Sequence, residues 1–141
     1  MSKQFVVKVY TPKGLVLEKS SEFLRIPGKS GDVGVTYDHT PSLLECKSGE
    51  MVLRTSNHQH SYFIPQALTH INKEEIIVIL DFIEPVENID KSRAEKSKER
   101  AEKRLADSEL QQDVEIDINR AKNSLDRAQI RLDILAQKAF K

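Results

Sequence analysis

Apolar and polar residues alternate in short runs up to Pro85, which is the period of β-strands. "EFLRIPG" alternates Phe23 and Arg25 with Leu24 and Ile26, and "MVLRTSNHQHSYFI" predicts two strands around a polar turn. "EIIVILDFI" is a continuous apolar run, which predicts a strand buried on both faces. Short strands at this spacing favour an antiparallel sandwich or barrel.

After Pro85 the sequence predicts helices, because residues 86–141 contain no helix-breaking Gly or Pro. A first helix is predicted over roughly 91–108 with Asp90 as N-cap, and a second over roughly 114–139. Spacings of three and four make a coiled-coil seam in the second helix: Ile118, Ala121, Leu125, Ala128, Leu132, Leu135 and Ala139. The first helix offers a thinner seam of Ala94, Ala101 and Leu105.

The two halves together predict an α+β chain with two domains. Residues 1–87 are expected to form an N-terminal antiparallel β-sandwich. Residues 88–141 are expected to form a C-terminal two-helix hairpin, which is antiparallel because the polar connector "DSELQQD" is short.

Charge and cysteine usage narrow the class of protein. The chain has 22 Lys and Arg against 22 Asp and Glu, which argues against a nucleic-acid partner. Cys46 has no second cysteine to pair with, as is typical of a reducing compartment. The longest apolar stretch, "IIVIL", is too short to span a bilayer. We therefore expect a soluble intracellular protein that does not insert into a membrane.

The helical half repeats one arginine-alanine template. "RAEKSKERAEKRL" begins at Arg93 and "RAKNSLDRAQIRL" begins at Arg120. Each Arg precedes a seam residue, so two rows of guanidinium groups flank the contact between the helices, a geometry that suits phosphate. The same pattern is explained by arginine stems that cover apolar surface and pair with nearby carboxylates. The template alone leaves both interpretations open.

The segment "IPGKSGDVGVTYDHTPSLLECKSGEMVLR" resembles the signature of the epsilon subunit of rotary F-type ATP synthases, roughly G-x-x-G-x-x-G-[IV]-x-x-x-H-x-P-x-[LV]. The residues that match it are Gly28, Gly31, Gly34, Val35, His39, Pro41 and Leu43. The resemblance extends over the whole chain. It implies a non-catalytic central-stalk subunit that couples ion-driven rotation of the c-ring to ATP synthesis, at the cytoplasmic face of the bacterial inner membrane as a peripheral part of the complex.

The resemblance also implies partners. In the family the sandwich meets the gamma subunit and the c-ring, and the helices reach the alpha/beta catalytic subunits when the arm extends and inhibits hydrolysis. The c-ring contacts carried over to this chain are Lys29, Ser30, Gly31, Asp32 and His39.

A second motif, "IDKSRA" at residues 89–94, resembles the [IL]-D-x-x-R-A pattern with which some bacterial epsilon subunits bind ATP between two folded helices. The resemblance implies ATP as a regulatory ligand, although no cofactor is required. Arginines would neutralise the phosphates, and Ile89 and Ala94 would line the adenine. The implied site residues are Glu84, Ile89, Asp90, Arg93, Ala94, Arg100, Arg127 and Arg131.

Other chemistry finds little support in the residues. His58 and His60 fit a solvated hairpin tip better than a metal site, and no nucleophile, base or phosphate loop has catalytic spacing. We expect neither a metal nor enzymatic activity. The alternative to a rotor subunit is a stand-alone nucleotide sensor or a coiled-coil adaptor protein, which would not depend on a gamma-like partner.

Overall fold

The computed structural model describes residues 3–111 and 115–139, except for the side chains of residues 107–111, 115–118 and 139. The chain divides into two compact units, Met1–Val86 and Glu87–Lys141.

Ten strands run through the described part of the first unit. They are β1 Phe5–Thr11, β2 Gly14–Ser21, β3 Phe23–Gly28, β4 Gly31–Thr36, β5 Ser42–Cys46, β6 Gly49–Arg54, β7 Gln59–Ile64, β8 Ala67–Ile71, β9 Glu75–Leu80 and β10 Glu84–Pro85. The hydrogen-bonded order is β10-β7-β6-β3-β5-β8-β9-β1-β2, and β4 pairs with the other side of β3. The neighbours are antiparallel except for β1 and β9, which run parallel.

The sheet folds over at the junction between β3 and β5. These two strands, both fully described, share one residue pair in register, Gly28 with Cys46. Backbone hydrogen bonds from Lys29 to Glu45 and from Lys47 to Pro27 extend this junction. Side chains from both halves of the sheet meet in one core, whose largest fully buried members include Phe5, Leu24, Ile26, Met51, Leu53, Ile64, Ile71 and Ile76. The predicted β-sandwich is confirmed.

The alternation read from the sequence holds in β3 but the interpretation of β9 was wrong. Leu24 and Ile26 are buried. In β9, Ile76 and Val78 are buried whereas Ile79 is 53% exposed. The strand has hydrogen-bonded neighbours on both edges, β8 and β1, but only one of its faces meets the core. The continuous apolar run therefore does not mean burial on both faces.

The second unit is a pair of long helices, α1 Lys91–Gln111 and α2 Glu115–Ala139, preceded by a 3₁₀ turn at Val86–Asn88. The predicted two-helix element is confirmed. The seam alanines are buried, namely Ala94 and Ala101 of α1 and Ala121 and Ala128 of α2. Small side chains at these positions let the helix axes approach closely. Ile134, outside the predicted seam, is buried as well, while the side chains of Ile118 and Ala139 lie outside the described residues.

Substitution of one buried and one exposed leucine tests the position of the core. Leu24→Ala removes a fully buried side chain, and we expect a loss of about 2–5 kcal/mol in the free energy of unfolding of the sandwich. Leu43→Ala, at a side chain that is 66% exposed, should change it by less than about 0.5 kcal/mol. Urea unfolding of the two variants checks this, and similar losses in both would contradict the assigned core.

Candidate functional site

The turn between β3 and β4 presents Lys29 and Ser30 at the surface of the sandwich. Two glycines make its backbone possible. A Cβ on Gly28 would lie 2.7 Å from the carbonyl oxygen of Gly31, which is closer than side-chain carbons approach. Gly31 itself has φ 141°, a conformation that residues with a side chain rarely adopt. The turn is therefore tight and projects polar side chains outward.

Ion pairs brace this turn against the neighbouring strands. The Lys29 ammonium lies 3.2 Å from the Glu45 carboxylate on β5. On β3, the Arg25 guanidinium lies 2.7 Å from Glu50 on β6 and 3.9 Å from Asp32 on β4. Lys29 and Asp32 remain largely exposed in spite of these contacts. The predicted residues Lys29, Ser30, Gly31 and Asp32 thus form one exposed and braced surface.

His39 does not belong to that surface. The Lys29–Ser30 turn lies before β4 and His39 lies after it, so the six residues of the strand separate the turn from His39. His39 is half-buried, and its Nδ1–H donates to the Thr40 carbonyl oxygen at 2.8 Å. The preceding Asp38 lies 3.8 Å from Lys73 of the β8–β9 connection. The five residues carried over as c-ring contacts therefore do not share one end of the sandwich, because β4 carries the chain from the turn to the other end of the strand.

An exposed apolar row that the sequence did not predict lies on the outer face of the sheet. The registers place Leu68 beside Ile79, Ile79 beside Tyr10, and Tyr10 beside Leu15. Leu68 is 39% exposed, Ile79 53% and Leu15 47%. This apolar row, Leu68–Ile79–Tyr10–Leu15, crosses β8, β9, β1 and β2. The uninterrupted apolar composition of β9 indicates that both faces of the strand are apolar, but not that one of them is exposed.

A groove of ≈ 470 Å³ lies between the two helices and shows which of their residues face each other. Its lining residues are Lys98 and Glu102 of α1 and Lys122, Leu125, Asp126 and Gln129 of α2. Residues 98–102 therefore face residues 122–129, and this places Arg100 at roughly the level of Arg127.

The arginines border the opposite side of the helix pair. The groove residues Glu102, Lys122 and Gln129 each follow a buried seam alanine, whereas Arg93, Arg100, Arg120 and Arg127 each precede one. Successive residues are about 100° apart, so the residues before and after a seam position lie on opposite sides of a helix. In antiparallel helices, both preceding positions fall on the same side of the pair. We call that side, with Arg93, Arg100, Arg104, Arg120, Arg127 and Arg131, the arginine face.

The side chains of the arginine face differ in exposure. Those on α1, together with Arg120, are exposed, and the Arg100 guanidinium donates to the Ser97 hydroxyl at 3.3 Å. Arg127 and Arg131 are half-buried. The structure thus brings four of the predicted phosphate ligands, Arg93, Arg100, Arg127 and Arg131, to one side of the hairpin.

The start of α1 carries three of the remaining predicted residues, Ile89, Asp90 and Ala94. The Arg93 backbone N–H donates to the Asp90 carboxylate at 3.1 Å, which confirms Asp90 as the N-cap. Ile89 and Ala94 are both buried. They occupy the positions whose apolar contact typically fixes the entry of a chain into a helix. Glu84 is half-buried in β10, opposite Phe63 of β7, and belongs to the first unit.

Other reactive groups in the described residues show no catalytic arrangement. Cys46 is buried with its thiol 3.4 Å from the Thr69 hydroxyl, and burial raises the pKa of this thiol. A raised pKa disfavours the nucleophilic thiolate. No group of three or more His, Cys, Asp and Glu in the described part of the chain could hold a metal ion. Neither described helix is long and apolar enough to cross a membrane.

Comparisons with known proteins account for both units. The model of the ATP synthase delta/epsilon chain beta-sandwich domain matches residues 4–86, and that of its long alpha-helix domain matches residues 87–136. The chain belongs to the delta/epsilon chain family of ATP synthase. It is therefore a central-stalk component of ATP synthase and not a catalytic subunit, as predicted.

Individual relatives cover nearly the whole chain. The ATP synthase epsilon chain of Desulfitobacterium hafniense is 30% identical over 133 residues, which are 94% of this chain and 97% of the relative. That of Nitratidesulfovibrio vulgaris is 31% identical over 134 residues, 95% of this chain and 97% of the relative. A chain of the Euglena gracilis mitochondrial ATP synthase has the same fold, with a TM-score of 0.81 at 17% identity over 94% of this chain and 81% of that chain.

The family motif at Asp90 has a structural function that can be separated from any ligand. We expect Asp90→Ala to destabilise the start of α1 by about 1 kcal/mol, because the Arg93 N–H loses its acceptor. Asp90→Asn should retain the cap, since the asparagine oxygen also accepts. Amide hydrogen exchange at Arg93, without added nucleotide, checks this. If the Arg93 amide exchanges equally fast in both variants, and faster than in the unchanged chain, then the charge of Asp90 stabilises the start of α1 and its capping hydrogen bond does not.

Proposed function

We propose that the sandwich joins the gamma subunit to the c-ring and so couples ion-driven rotation to ATP synthesis. The observation that carries this proposal is the apolar row on the outer face of β8, β9, β1 and β2. Side chains of this size, adjacent on one face, are typical of a surface that another subunit covers. The complex would hold the chain at the cytoplasmic face of the bacterial inner membrane as a peripheral subunit.

The gamma subunit is the proposed occupant of the apolar row. Leu68, Ile79 and Leu15 are each about half-exposed, so covering all three contributes roughly 2–4 kcal/mol. A contribution of that size is comparable to that of one hot-spot side chain in an interface. The fit is supported by geometry, since the side chains project from paired strands that hold their spacing before binding.

The c-ring is the proposed partner of the Lys29–Asp32 turn. The turn is exposed, carries charge of both signs and is held by pairs to Glu45 and Arg25. A braced turn loses little conformational entropy on docking. His39 lies beyond the other end of β4, so we do not include it in the contact that the Lys29–Asp32 turn makes with the c-ring.

A charge placed in the apolar row tests the gamma proposal. Ile79→Asp should weaken binding to purified gamma subunit by about tenfold or more, because an unpaired carboxylate would be buried in the contact. Thr36→Asp, at an exposed position on β4, is the matched control and should bind as the unchanged chain does. Surface plasmon resonance gives both affinities, and equal binding of Ile79→Asp and Thr36→Asp would remove the row from the interface.

We further propose that ATP binds the arginine face of the folded hairpin as a regulatory ligand. Four guanidinium groups on one side of the helix pair offer forked donors to a triphosphate. ATP that binds only the folded arm stabilises that arm by mass action. The extended arm would reach the alpha/beta catalytic subunits and inhibit hydrolysis, so ATP relieves the inhibition.

Arginine variants test the nucleotide proposal. Arg93→Ala or Arg127→Ala removes one charge-assisted contact, about 1.5–3 kcal/mol, and should weaken ATP by roughly tenfold or more. Arg120→Ala, seven residues from Arg127 on the same helix, is the control, because Arg120 is not among the proposed ligands of this ATP position. Isothermal titration calorimetry of the full chain measures the affinity of each variant for ATP at this position. Equal losses in all three variants would reduce the effect to general electrostatics.

A further inference from the structure

The six arginines of the hairpin are arranged with an approximate twofold symmetry. The template repeats after 27 residues, so Arg93 corresponds to Arg120, Arg100 to Arg127 and Arg104 to Arg131. Because the helices are antiparallel and Arg100 lies at roughly the level of Arg127, the symmetry axis passes between these two residues. The other four arginines fall into one pair at each end of the arginine face.

The distances between these pairs follow from the helical rise. Arg93 and Arg131 lie about 10 Å and 6 Å from the axis toward the end at which α1 begins. Arg120 and Arg104 lie at the same distances toward the end at which α1 finishes and α2 begins. Each end of the face therefore offers two outer arginines together with the central Arg100 and Arg127.

The symmetry extends to the motif that carries the proposed ATP position. "IDKSRA" at residues 89–94 recurs as "IDINRA" at residues 116–121, with the same 27-residue offset. The described members agree in their surroundings, since Ala121 is buried as Ala94 is, and Arg120 is exposed as Arg93 is. The backbones differ, because the first motif begins before α1 and the second lies inside α2.

We propose a second position for a nucleoside triphosphate on the arginine face, built by Arg104 and Arg120 together with the central Arg100 and Arg127. It rests on the proposed ATP position, of which it is the symmetry equivalent. The ligand class is the same, because the second position repeats the arginine arrangement, which is the part of the ATP position that binds phosphate.

The second position binds more weakly than the first, because its copy of the motif lies inside α2 whereas that of the first position begins before α1. Both draw on Arg100 and Arg127, so two triphosphates compete for the central pair. The outer pairs are about 16 Å apart along the helices, roughly two Debye lengths at physiological salt, so repulsion between the nucleotides is screened rather than prohibitive. Occupation of both positions joins α1 to α2 at both ends of the hairpin and holds the arm folded more firmly.

Titration of the full chain with ATP in a calorimeter tests the proposal. We expect two binding steps for the unchanged chain. Arg104→Ala and Arg120→Ala should weaken the second step by about tenfold and leave the first step, and Arg93→Ala should do the reverse. Lys122→Ala removes one exposed positive charge beside Arg120 but on the groove side of the hairpin, so it should leave both steps.

The outcomes separate this inference from the proposed function. A single step that Arg93→Ala weakens and Arg120→Ala leaves unchanged overturns the second position and keeps the first. Equal weakening of the second step by Lys122→Ala and Arg120→Ala also overturns it, since any nearby charge would then suffice. Absence of binding overturns both positions. Circular dichroism of each variant, with unchanged helix content, ensures that the losses are not losses of folding.

Discussion

The junction of β3 with β5 is the constraint on which the first unit depends. It turns one continuous sheet into two facing layers, and the core exists only because the layers face each other. Gly28 stands at this junction, where the Gly31 carbonyl leaves no room for a side chain. The same residue therefore pairs β3 with β5 and makes the tight Lys29–Ser30 turn possible. The Lys29–Ser30 turn and the β3–β5 pairing thus both involve Gly28.

Much of the fold can be predicted from local sequence, because short patterns of neighbouring residues are enough to identify these elements. The alternation of Leu24 and Ile26 with polar neighbours marks a strand with one buried face, and a stretch without Gly or Pro marks the helices. Asp90 was identifiable as an N-cap because capping needs only a carboxylate and the three residues after it. These features do not require knowledge of distant parts of the chain.

The remaining features depend on pairing that local sequence does not contain. Ile79 is apolar yet exposed, and composition cannot distinguish a face covered by the core from one left open. The separation of His39 from Lys29 comes from the length of β4 between them, although the family motif holds both in one short segment. In the hairpin, the template gives the spacing of the arginines, but only the register of the helices shows that Arg100 lies level with Arg127.

The parallel pairing of β1 with β9 has a consequence for how the chain acquires its structure. Val7 of β1 is aligned with Ile76 of β9, so β1 cannot complete its pairing until β9, near the end of the same unit, has been synthesised. Contacts so distant in sequence form slowly, because a long loop must close before any is made. The hairpins β3–β4 and β6–β7 pair residues close in sequence and are free to form earlier. During translation, the edge of β1 that β9 later pairs with stays open until most of the sandwich has left the ribosome.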